Sequence, residues 1–78
     1  MSTNPKLSNT MPMEITVNGE TRSLPDGQTV LHLLALLGLD PDRVAVELDL
    51  QILKRARWAE TELRPGARLE IVQFVGGG

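Results

Sequence analysis

An α+β roll, a mixed sheet folded around one helix, is the architecture this sequence predicts. Three observations carry it. Alternating apolar and polar residues flank an Asn-Gly pair near the start, a helical apolar stripe follows, and an alternating apolar segment returns at the end. Strand signals on both sides of one helix signal describe a sheet with one face on the helix and the other open to solvent.

Each element has its own local cause. Met13, Ile15 and Val17 alternate with Glu14 and Thr16, the period of a half-buried strand over residues 13–17. Asn18-Gly19 is a strong hairpin signal, because a type I′ turn needs φ > 0 at both central residues. Residues 20–24 form the returning strand, and Pro25-Asp26-Gly27 closes it with turn residues. Thr29 is placed to cap a helix over residues 30–37, with Val30, Leu33, Leu34 and Leu37 on one face. Gly38 stops it from the C′ position. Leu31 and Leu36 widen the stripe, so loops as well as sheet are expected to wrap the helix. Asp40-Pro41-Asp42 turns the chain, and residues 44–48 alternate as a third strand. Residues 51–53 make a short partner strand. Trp58 lies in a polar connection and reads as a structural core residue, and Pro65-Gly66 marks a turn. The last strand, over residues 68–75, sets Leu69 and Ile71 on one face and Val72 and Phe74 on the other.

Composition narrows the chemistry. The 78 residues suffice for one domain and include no Cys, so neither a disulfide nor a thiolate metal site can reinforce it. His32, the only histidine, falls mid-helix and reads as structural or surface, which disfavours a Ser-His-Asp arrangement or a histidine metal cluster. No stretch approaches the ~18 apolar residues of a membrane span, and the net charge of −2 gives no reason to expect nucleic acid. Residues 1–12 are polar and lack a signal-peptide core, so they read either as a disordered extension or as a mis-assigned start, Met11 and Met13 both standing just before the first patterned segment. The domain is expected over residues 13–75, in the cytoplasm. Between Lys54 and Arg68, Lys54, Arg55, Arg57, Arg64 and Arg68 face only Glu60 and Glu62. That stretch is either a solvated surface or a basic edge that orients an acidic partner.

Gly76, Gly77 and Gly78 follow directly from the apolar strand. They are either a frayed end or a flexible functional tail. Gly lacks a Cβ and can thread a narrow channel, and three extended residues reach about 10 Å. A carboxylate delivered in this way could attack ATP, become an acyl-adenylate and accept a nucleophile, with no acid or base supplied by the carrier.

The segments Met13-Glu14-Ile15-Thr16-Val17-Asn18-Gly19, Leu24-Pro25-Asp26-Gly27, Val44-Ala45-Val46-Glu47 and Ile71-Val72-Gln73-Phe74-Val75-Gly76-Gly77-Gly78 resemble the thiamine-biosynthesis sulfur carrier family (ThiS). The resemblance covers residues 13–78. It implies a β-grasp, ubiquitin-like fold and a chain that is a protein co-substrate rather than an enzyme. It implies that a ubiquitin-activating-type adenylyltransferase adenylates Gly78, that a sulfur-donating protein then supplies the sulfur of a thiocarboxylate, and that thiazole synthase takes this sulfur. Gly77 matches the penultimate glycine and Gly76 extends the tail. No cofactor is implied on the chain itself, ATP being used by the partner. Two departures stand out. Asp49-Leu50 replaces a second Asn-Gly turn, and because Leu resists φ > 0 a different turn type or a shifted register is expected there. The later turn reads Pro65-Gly66-Ala67 without acidic residues around its Gly.

Val72 and Phe74, with Ala45 from the third strand, are expected on the open face as a partner-docking patch, unless Phe74 folds under a loop. The competing functions are a sulfur carrier for molybdopterin, tRNA thiolation or cysteine synthesis, a ubiquitin-like modifier, and a plain interaction module with an idle tail. Molybdopterin carriers typically have prolines before the tail, where this chain has Gln73-Phe74-Val75.

Overall fold

The computed structural model describes residues 12–75. Strand β1 (Pro12–Val17) turns through Asn18 and Gly19 into β2 (Glu20–Pro25), helix α1 (Val30–Leu36) follows, and β3 (Val44–Leu48), β4 (Gln51–Leu53) and β5 (Arg68–Gln73) complete a five-stranded sheet in the order β2-β1-β5-β3-β4. Only the β1–β5 pair is parallel; the others are antiparallel. This is the mixed roll that the sequence predicts.

The alternation of β1 has its expected consequence. Met13, Ile15 and Val17 are buried under α1, whose Val30, Leu33 and Leu34 are wholly inaccessible. Leu69 and Ile71 of β5 join the same layer, and their neighbours on that strand point away. Thr29 caps α1 through a reciprocal pair of bonds: the His32 N–H donates to Thr29 Oγ1 at 3.2 Å, and the Thr29 N–H donates to His32 Nδ1 at 3.1 Å. The lone histidine is thus a capping residue. At the other end the Leu39 N–H reaches Leu34 O and the Gly38 N–H reaches Ala35 O, a Schellman closure that requires the left-handed φ of 72° found at Gly38. Leu37 is the C-cap, so the helix ends one residue before the expected boundary.

A helix of seven residues is too short to persist unaided. The connection from Lys54 to Ala67 fastens it. Its first free N–H groups, on Val30 and Leu31, donate to Thr61 O and Trp58 O, and the Leu63 N–H returns to Gln28 O. Trp58 and Leu63 are each 2% exposed, with the indole N–H satisfied by Leu53 O at 2.9 Å. Trp58 is therefore a core residue, as expected. The wrapping is confined to the N-terminal half, however: Leu36 is 60% exposed and has no loop over it.

Three strand ends differ from expectation. β1 begins at Pro12, which the sequence reading placed in the disordered extension, and β2 runs on to Pro25, because these two residues pair with each other. β5 stops at Gln73 rather than 75 because its partner β3 begins at Val44, opposite Gln73, after a 3₁₀ turn over Pro41–Arg43. A larger correction concerns Asp49-Leu50. The register Leu48↔Gln51 makes this a two-residue hairpin, and both residues take positive φ, 51° and 73°. It has the left-handed geometry that the sequence reading set aside for Leu. The right-handed strand twist demands that turn, and Asp49 is locked into it by two bonds to Arg68. Leu50 then has no choice of backbone region, at a cost of roughly 1–2 kcal/mol. Its side chain is 89% exposed and recovers nothing from the core. Leu50→Asn should therefore stabilise the chain by about 0.5–1 kcal/mol and raise the melting temperature by roughly 2–8 °C. Thermal and urea denaturation followed by circular dichroism measure it.

Candidate functional site

The segment that leads to residues 76–78 is β5, and the structure holds it from both sides. On one side the Thr16 N–H donates to Ala67 O and the Asn18 N–H to Leu69 O, both at 2.9 Å. There β1 leaves in its hairpin, and the edge of β5 would be orphaned beyond Leu69. The Asn18 side chain replaces the missing strand: its Nδ2 donates to Ile71 O at 3.1 Å, and the Ile71 N–H donates to its Oδ1 at 2.7 Å. On the other side Asp49 clasps the start of the strand, its N–H donating to Arg68 O at 2.7 Å and its Oδ1 accepting from the Arg68 N–H at 3.0 Å. Among the described residues the last tie is the Phe74 N–H to Arg43 O at 2.7 Å. Val75 beyond it is 83% exposed. Gly76, Gly77 and Gly78, the expected reactive tail, lie outside the described residues, as do residues 1–11 of the expected extension.

Ala45, Val72 and Phe74 are all exposed on the sheet face away from α1, Val72 at 58% and Phe74 at 52%. Ala45 and Val72 are direct cross-strand partners. Phe74 is not folded under a loop. Two further aliphatic residues, Ile52 at 80% and Leu50 at 89% exposure, stand on the β3–β4 hairpin beside them. Sequence reasoning passed over Ile52 because Ile52 and Leu53 are both apolar, and alternation cannot say which of two such neighbours faces outward. It also read Asn18 only as a turn former. Nothing local to Asn18 signals a clasp on Ile71, which is 53 positions away.

The basic stretch is locally offset. Arg55 pairs with Asp42 and Arg57 with Glu60, all exposed, which favours the solvated-surface reading over a basic edge. Among the described residues no side chain is both polar and buried, no group of three or more His, Asp or Glu side chains could hold a metal ion, and no helix is long and apolar enough to cross a membrane. What the arrangement offers is a strand held rigidly up to Phe74 and an apolar face beside it.

A profile of the ThiS family matches residues 9–78. The chain belongs to the ThiS family. The crystal structure of a thiamine biosynthesis protein (ThiS) from Geobacter metallireducens superposes on this ThiS chain with a TM-score of 0.73 at 32% identity, covering 85% of this chain and 100% of that one. The solution structure of a thiamine biosynthesis protein from the same organism gives 0.72 at 32% identity, covering 85% and 88%. The β-grasp fold implied by the sequence resemblance is thus the fold of this chain. Two longer proteins also match: the thiazole synthases of Paramagnetospirillum magneticum, 42% identical over 66 residues, and of Magnetococcus marinus, 36% identical over 66 residues. Each match covers 85% of the ThiS chain, which spans only 20% of those relatives' length.

The Asn18 clasp can be separated from the turn it sits in, because Gly also accepts positive φ. Asn18→Gly should keep the hairpin and lose about 1–3 kcal/mol through the two exposed β5 groups. Amide hydrogen exchange at Ile71 should accelerate more than exchange in α1.

Proposed function

We propose that the chain is a sulfur carrier of thiamine biosynthesis whose working group is the carboxylate of Gly78. Membership of the ThiS family over residues 9–78 is the observation that carries this reading. The two thiazole synthase relatives favour the thiamine pathway over molybdopterin, tRNA thiolation or cysteine synthesis as the destination of the sulfur.

The chain serves as a protein co-substrate in the cytoplasm. A ubiquitin-activating-type adenylyltransferase binds it together with ATP. A Gly78 carboxylate oxygen attacks the α-phosphorus of ATP and pyrophosphate leaves, which gives an acyl-adenylate. Sulfide delivered by a sulfur-donating protein then attacks the acyl carbon, the bond to AMP breaks, and the carboxylate becomes a thiocarboxylate. Thiazole synthase takes that sulfur into the thiazole ring. Phe74, whose N–H is the last one tied to the domain among the described residues, marks the point from which the tail is paid out. From there residues 75–78 span at most about 13 Å when extended, enough to carry the terminus into a partner's active site while the domain stays outside. Gly76 and Gly77 let this lead pass through a narrow channel, since neither presents a Cβ to its walls. The exposed side chains of Ala45, Val72 and Phe74 meet the adenylating enzyme and fix the direction of entry.

Incubation with the host adenylating enzyme, ATP and a sulfur source should replace one oxygen of the intact chain by sulfur, located at Gly78 by fragment mass spectrometry. A chain lacking Gly77 and Gly78 should remain unchanged while binding the enzyme. Conjugates to target lysines would instead mean a protein modifier. Because Phe74 is half exposed, Phe74→Asp should leave the fold intact and weaken enzyme binding by about tenfold or more, read by calorimetric titration.

A further inference from the structure

Glu47 and Glu70 are direct cross-strand partners on the open face, between β3 and β5. Directly opposed side chains on one sheet face have Cβ atoms only about 4.5–5.5 Å apart, where like charges are destabilising. The surroundings do little to relieve this pair. Ile52 lies across β4 from Glu47, and the next pair toward the tail is Ala45 with Val72. Glu47 is half-buried among these apolar neighbours. The ion pairs of the described residues are Arg22–Glu20, Arg55–Asp42 and Arg57–Glu60, so neither carboxylate has a cation within pairing distance there. That includes Arg68, which precedes Glu70 by two positions on the same strand, and Lys54, which follows β4.

We propose that the open face reads a positive charge: Glu47 and Glu70 together receive an arginine or lysine of the partner protein, set among apolar side chains that cover Ala45, Ile52 and Val72. This rests on the docking proposed above and names what the partner must present. One cation placed between the two carboxylates removes their mutual repulsion and gains two charge-assisted bonds, while the aliphatic rim excludes water and strengthens both. An apolar partner surface without that cation would bury two unpaired carboxylates and be rejected. The pair thus acts as a specificity determinant, which a purely apolar patch cannot supply.

The test is the double variant Glu47→Gln, Glu70→Gln, titrated against the host adenylating enzyme at low and at raised salt. The free variant should melt a few degrees higher than the native chain, since the repulsion is gone. Its affinity at low salt should fall about tenfold or more, and most of the salt dependence of binding should vanish with it. Native affinity and native salt dependence in a folded double variant would overturn the inference, even if the native chain still gains sulfur at Gly78. A native chain that neither binds the enzyme nor gains sulfur would overturn the carrier reading as well.

Discussion

β5 is the strand on which the rest of the structure depends, because it is the central strand of the sheet, joins the β1–β2 hairpin to the β3–β4 hairpin and is buried along one face. Parallel pairing with β1 and antiparallel pairing with β3 leave its backbone no freedom to tilt or slide. A slip of one residue would turn Leu69 and Ile71, 1% and 8% exposed, out of the core and drive Glu70 and Val72 under the helix. The register is therefore set by burial, and the two side-chain clasps secure it where neighbouring strands fall short. Asn18 extends the influence of β1 past its own turn, and Asp49 extends that of β3 past its hairpin. Phe74, tied to Arg43 by its N–H, inherits that rigidity.

The remaining elements keep β5 covered. α1 is short and lies over β1 and β5, and the long connection from β4 back to β5 crosses its N-terminal end, with Trp58 and Leu63 wedged beneath. Hydrogen bonds from Val30 and Leu31 to that connection make helix and loop a single cap. No buried polar side chain interrupts this core among the described residues, so its order comes from shape and from backbone pairing. In a chain this small the apolar layer is thin, and so the loss of one clasp is felt.

Much of this was legible in the sequence because it is local. The alternation of residues 13–17, the Asn18-Gly19 turn, the Thr29 cap and the Gly38 stop each follow from a few adjacent residues. The face assignment of Val72 and Phe74 followed from Leu69 and Ile71 by the pleat alone. What escaped depends on distant partners. Asp49-Leu50 looked unsuited to a left-handed turn because propensity was judged without the two bonds from Asp49 to Arg68 that impose it. The end of β5 is not legible locally because strand length is set by where β3 starts, and the apolar run continues regardless. Leu36 was expected under a loop, but the crossing connection reaches only the first turn of the helix. The pairing of Glu47 with Glu70 was equally invisible, since register between strands separated by a long connection is a tertiary property.

These features divide the labour between the two ends of the open face. Near the tail, exposed Phe74 and Val72 beside a rigid strand are the surface on which the proposed docking would set the direction of entry. Farther along, the opposed carboxylates supply the discrimination that apolar contact lacks, because aliphatic patches of similar size differ little in affinity whereas an unpaired buried charge is rejected strongly. Docking of the kind proposed needs both, for a surface that bound every apolar face would be captured by the wrong protein. The same reasoning explains why such a costly arrangement stands on the outside of the sheet. Carboxylates opposed on the core face would unfold the chain, whereas on the open face their repulsion is moderated by water until a partner displaces it.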